Sequence, residues 1–177
     1  MIDIRPFLVL SFAAMVLGGC GRSAKDDLAA TYCPEPLTVQ DTQKLTRFKP
    51  GPGRDPRDIM FEGSLVNAAT QCSINKNRMD IVLKVLVAAN AGPAVGTAPS
   101  SVPYFVRVVD SSGTVREGRD FAADFRLSAA NPRGSSIEAL VLTLPFGDRT
   151  DLGAYRIIVG LKPTPEELQY NRRSEGR

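Results

Sequence analysis

From Asp58 onward, apolar residues recur at every second position, the period of a strand rather than of a helix. Residues 79–90 place Met79, Ile81, Leu83, Val85 and Val87 on one face, with Asp80 and Lys84 on the other. Tyr104, Val106 and Val108 then alternate with Phe105, Arg107 and Val109. Asp110-Ser111-Ser112-Gly113 supplies turn chemistry before a short strand over 114–117. Phe121, Ala123, Phe125 and Leu127 share a face against Asp124 and Arg126. Apolar runs at 137–144 and 154–161 complete the set, with 59–66 and a weaker 37–48 region in front. Seven or eight short strands divided by Gly, Pro, Asn and Asp predict an all-β fold, an antiparallel sandwich over residues 32–163, with a closed barrel as the alternative.

The end of the chain, residues 164–177, changes period. Thr164-Pro165-Glu166-Glu167 offers an N-cap, a proline at the first helical position and a glutamate at the third, which is a capping box. A helix of about two turns follows through Leu168 and Tyr170 toward Arg172, too short to stand without docking. Either Leu168 packs on its own sandwich, or the helix offers a partner protein an exposed basic hook of Tyr170, Asn171, Arg172 and Arg173, with Leu168 beside it. Upstream, Asp151-Leu152-Gly153-Ala154-Tyr155-Arg156-Ile157 resembles the tyrosine corner of immunoglobulin-like sandwiches. The resemblance implies an immunoglobulin-like or fibronectin-like sandwich in which the Tyr155 hydroxyl returns to the backbone. Ile157 stands where antibody domains have their second bridging cysteine.

Composition narrows the chemistry. With 177 residues, 43% hydrophobic and 23% charged, the chain holds enough apolar material for one core. It has no histidine, which excludes histidine-based triads and histidine-ligated metals. The three cysteines are too few for a thiolate cluster, and a net charge of +3 with interleaved signs gives no nucleic-acid footprint. Neither a catalytic residue, a metal site nor a cofactor is expected.

The first twenty residues carry an address. Residues 7–16, FLVLSFAAMV, are an uncharged run too short to span a bilayer core of about 30 Å but suited to a secretory signal. Leu17-Gly18-Gly19-Cys20 then resembles the lipobox of bacterial lipoproteins. That resemblance implies removal of residues 1–19 and lipid attachment at Cys20, with 20–31 as a flexible tether. An ordinary cleaved signal, or a short anchor, is the alternative. Acyl chains contribute about 0.8 kcal/mol per buried methylene and hold a domain on a membrane without a spanning helix. Gly21, in place of aspartate, implies by the sorting rule of enteric bacteria the outer membrane, facing the periplasm. With Cys20 lipidated, Cys33 and Cys72 remain as an even pair in a disulfide-permissive compartment: a structural disulfide, or two free thiols.

The loop over 49–58, KPGPGRDPRD, is the most distinctive segment between strands. Arg47, Lys49, Arg54 and Arg57 alternate there with Asp55 and Asp58, but no Gly-Lys-Ser/Thr follows and no helix opens, so this is no phosphate loop. The cations bind anionic lipid or glycan, or an Arg54–Asp55 ion pair pins the loop. Asp148, Thr150 and Asp151 form a turn or, with far fewer ligands than calcium takes, a weak cation site. Across the chain, Cys33, Leu45-Thr46-Arg47-Phe48, Gly53-Arg54-Asp55, Asp58, Phe61-Glu62, Cys72, Tyr155 and Leu168-Gln169-Tyr170-Asn171-Arg172 resemble uncharacterised lipoproteins of Gram-negative bacteria. The expected function is a lipid-anchored, non-catalytic adaptor or assembly factor for another envelope protein, engaged by an unpaired strand edge or by the C-terminal helix.

Overall fold

The computed structural model describes residues 31–51 and 54–175; the signal segment, Cys20 and all but the last residue of the tether lie outside the described residues. Eight strands run in chain order: β1 (Pro36–Thr38), β2 (Lys44–Phe48), β3 (Ile59–Asn75), β4 (Arg78–Ala91), β5 (Ser100–Val109), β6 (Val115–Phe125), β7 (Arg133–Pro145) and β8 (Arg156–Leu161). A C-terminal helix, α1 (Pro165–Glu175), follows. The strands form two four-stranded sheets, β1-β8-β5-β6 and β2-β3-β4-β7. All pairs are antiparallel except β1 with β8. The core lies between the sheets, where Met79, Ile81, Leu83, Val85 and Val87 of β4 meet Val102, Tyr104, Val106 and Val108 of β5, all at most 2% exposed. This is the predicted sandwich.

The connections are immunoglobulin-like. The chain crosses between sheets from β4 to β5 and again from β7 to β8, with β4 beside β7 in one sheet and β5 beside β8 in the other. Strands B, C, E and F of immunoglobulin domains have this relation. The Tyr155 hydroxyl donates to the Pro145 carbonyl at 3.0 Å, closing the corner between β7 and β8 as its sequence implied. Beyond β8, where a strand G would lie, the short parallel β1 takes the place. Beyond β7, in the position of strand D, no strand pairs among the described residues.

Several strand limits differ from the sequence reading. The weak 37–48 region is two strands in different sheets, separated by a turn in which Asp41 adopts φ 67°. Thr42 anchors that turn, its carbonyl accepting from the Leu161 amide at 2.7 Å, and Gly160 leaves room that a Cβ would take from the Thr42 hydroxyl. Strand β3 runs on past Val66 to Asn75 because β4 pairs with it as far as Asn75, so pairing overrides the polar character of its second half. Val66 itself sits in a bulge between Leu65 and Asn67. The segments 114–117 and 121–127 merge into one strand, β6, which ends at Phe125, and Ala154 closes the 3₁₀ turn Arg149–Ala154 rather than opening β8.

Cys33 and Cys72 form a disulfide with Cα atoms 5.6 Å apart, tying the chain just before β1 to β3. The Thr70 hydroxyl donates to the Pro34 carbonyl at 2.8 Å and reinforces the same junction.

Candidate functional site

The two sets of candidate residues, the basic loop and the terminal helix, meet at one corner beside β2. The capping box forms: the Glu167 carboxylate accepts from the Thr164 amide at 2.7 Å, and the Thr164 hydroxyl accepts from the Glu167 amide at 3.3 Å. Helix α1 then lies against β2, with Glu167 and Asn171, four residues apart and thus on one face, as its most buried members at 5% and 3% exposed. The Asn171 amide donates to the Lys44 carbonyl at 2.8 Å, and Glu167 holds the Arg47 guanidinium at 2.6 Å. Tyr170 is half-buried, its ring edge-on to Phe48 with centroids 4.9 Å apart. Leu168 is half-buried as well. Arg172 pairs with Asp41 at 2.9 Å, and Arg173 donates to the Gln169 carbonyl at 3.2 Å.

The loop is held in the same way. Arg54 pairs with Glu166 and lies over the Phe48 ring, 5.4 Å from its centroid. Lys49 pairs with Asp58 at 2.6 Å. Arg57 forks onto Asp55 at 2.9 and 3.0 Å, and those hydrogen bonds pull the Asp55 carboxyl down to about 2. Asp55, expected opposite Arg54, thus takes Arg57 as its bidentate partner. Each of the four proposed anion-binding cations therefore already faces a carboxylate. Two hollows flank Arg54: one of about 280 Å³ reaching Arg47, Phe48 and Glu167, and one of about 480 Å³ reaching Pro56, Tyr170 and Arg173.

The Asp148–Asp151 segment is a turn. The Asp151 carboxylate accepts from the backbone amides of Gly147 and Asp148 at 3.0 Å, and these bonds hold its pKa below the usual carboxylate range.

A second surface stands out on the outer face of the β2-β3-β4-β7 sheet. Ile137 and Val141 of β7 are 67% and 64% exposed, and Val66 at the β3 bulge is 56% exposed. Among the described residues, strand β7 is also a free edge of its sheet. The other edges are protected by known devices. Strand β2 is covered by α1, β1 spans three residues, and β6 carries Arg116, Glu117, Arg119, Asp120 and Asp124. Strand β7 has one charge in its interior, Glu138, which is half-buried and accepts from the Ser136 hydroxyl at 2.6 Å. Sequence reasoning passed over this surface, although its signal was present. IEALVLTL is apolar on both alternations, the pattern of a strand covered on both faces, yet it lies at an edge with one face open.

Among the described residues, no cluster of three or more His, Cys, Asp or Glu is arranged to hold a metal ion, and no helix is long and apolar enough to cross a membrane. Comparison with protein-family models, with curated proteins and with solved structures gives no match to this chain.

Proposed function

We propose that the protein is a lipid-anchored lipoprotein of the cell envelope, attached through Cys20 to the outer membrane and facing the periplasm. Its sandwich serves as a non-catalytic adaptor or assembly factor for another envelope protein. The observation that carries this reading is the long, nearly uncharged sheet edge β7, left open among the described residues while the other edges are short, charged or covered. Such an edge is a template for pairing with another chain. The anchor is supported by the apolar run ahead of Leu17-Gly18-Gly19-Cys20, and the Cys33–Cys72 disulfide suits an exported domain.

Binding of anionic lipid or glycan through Arg47, Lys49, Arg54 and Arg57 is less well supported, since an anion would have to displace carboxylates already in place. Both parts of the proposal are open to test. Labelled palmitate enters the wild type and not Cys20→Ala; equal labelling defeats the anchor. Photo-crosslinking in intact envelopes, with the reactive residue placed in turn on every face of the sandwich, recovers a reproducible protein neighbour. Absence of a neighbour from every position defeats the adaptor.

A further inference from the structure

We propose that the free edge of β7 is a strand-addition site whose occupant is an extended segment of a partner protein, bearing a carboxylate with apolar side chains two residues before and after it. The inference rests on the adaptor reading and adds the chemistry of the partner.

Register fixes the outer face as rows running across the sheet. Asn67, Leu86 and Ile137 form one row, Ala69, Lys84 and Ala139 the next, and Gln71, Val82 and Val141 the third. At β4 and β7 the first and third rows are bulky and apolar, while the middle row sets a lysine between two alanines. Lys84 is exposed and forms no ion pair among the described residues, in contrast to Arg47, Lys49 and Arg54 of the α1 corner.

A strand added to β7 lies two strand spacings, about 9–10 Å, from β4. Only the Ala139 methyl group intervenes between Lys84 and the added residue opposite Ala139. A lysine and a glutamate together span that gap. A carboxylate there meets an unpaired ammonium flanked by Leu86, Val82, Ile137 and Val141, where apolar walls reduce solvent screening. The added residues two positions either side face Ile137 and Val141, and cross-strand apolar pairs form. Main-chain hydrogen bonds along β7 supply the sequence-independent part of the affinity.

A second copy of β7 does not satisfy this surface. Antiparallel pairing about Ala139 sets alanine against alanine on the outer face, and Glu138, the only carboxylate of β7, points to the opposite face. Self-pairing leaves Lys84 without a counter-charge.

The test uses the full chain and a short peptide with the strand-forming core Val-Thr-Glu-Thr-Val, alongside the same peptide with lysine in place of glutamate. We expect the glutamate peptide to bind the wild type about fivefold more tightly or better, the scale of one partly screened ion pair. Lys84→Glu should reverse the preference. N-methylation of the peptide's edge-facing amides should weaken binding to the wild type, a readout that needs no change to the protein. Equal binding of the two peptides, unchanged preference in Lys84→Glu, or indifference to N-methylation overturns the proposal. So does a dimer, seen by light scattering, that buries β7 and excludes the peptide. If envelope crosslinks recover a neighbour from α1 and none from position 137, the adaptor survives and the β7 site falls; if no position yields a neighbour, the adaptor itself falls.

Discussion

The β2 and β7 edges pose the same physical problem, a row of unpaired backbone groups at the margin of one sheet, and the chain treats them oppositely. At β2 it lays α1 across the edge, gives the Lys44 carbonyl an asparagine donor and neutralises Arg47, Lys49, Arg54 and Arg172 with internal carboxylates. At β7 it leaves a 13-residue strand with exposed Ile137 and Val141 and, beside it, a Lys84 without an ion pair among the described residues. A surface most of whose charges are matched from within has less to offer a partner, because contacts to those groups must first break existing ones. A surface with unmatched groups gains on binding without that cost. The difference makes the β2 corner a structural element and β7 the better candidate for recognition, although the corner holds the more conspicuous residues.

If that division is right, changes at closed junctions should cost stability and changes at the open edge should cost binding. The largest loss is expected where a junction is closed covalently. Removing the Cys33–Cys72 bond with Cys33→Ala and Cys72→Ala should destabilise the fold by about 2–5 kcal/mol, read from urea unfolding under non-reducing conditions. A midpoint unchanged by reductant would show that β1 needs no staple. Next comes Glu167→Ala, which removes both the capping box and the partner of a half-shielded Arg47. A loss of about 1–3 kcal/mol is expected, less than for a fully buried pair because Arg47 is 36% exposed. Amide exchange should quicken on β2 in the same variant; unchanged protection there would mean that α1 does not guard the edge.

How much of this was legible beforehand depends on which residues carried the information. Period-two patterning in β4 and β6 pointed to a sandwich, with a closed barrel as the alternative, and the seven residues around Tyr155 pointed to the corner that the hydroxyl closes. Thr164 and Glu167 marked the start of α1 correctly because capping is local. The docking of α1 was not legible. Helices are expected to bury an apolar stripe, so Leu168 drew attention, whereas Glu167 and Asn171 are the buried pair and find their partners on β2, more than a hundred residues away in sequence. The loop cations looked like a site because each Arg or Lys was visible and its pairing was not. Strand β7 was recognised as a strand but not as an edge, since its both-sided apolar pattern suits a central position and edge status depends on topology.

Lowering pH probes the turns that hold the strands in order. Hydrogen bonds from Ser112, with further donors at Thr114 and Arg116, hold the Asp110 carboxyl at about 2, and Arg57 does the same for Asp55. Both folded values lie below the ordinary aspartate value of about 3.9. Their contribution to stability is therefore complete above that value and is lost as pH falls from about 4 to about 2. Urea midpoints measured across that window should decline, and Asp110→Asn should flatten part of the decline. A wild-type midpoint constant down to pH 2 would contradict the assignment.

The smallest stability effect is expected where the comparison is most exposed to failure. Ile137→Thr and Val141→Thr each replace a mostly exposed branched side chain with another that suits a strand, so each should change stability by no more than about 0.5 kcal/mol. Removing these apolar groups should nonetheless reduce crosslinking to a protein neighbour from β7, while Tyr170→Ala lowers stability through the lost Phe48 contact and leaves that crosslink in place. The paired outcome matters more than either part. Should Ile137→Thr destabilise the domain by several kcal/mol, the β7 face is packed against something within the chain, and its exposure does not mark a binding surface. Should Tyr170→Ala remove the neighbour without loss of stability, recognition lies in α1, and the closed corner is the one that opens.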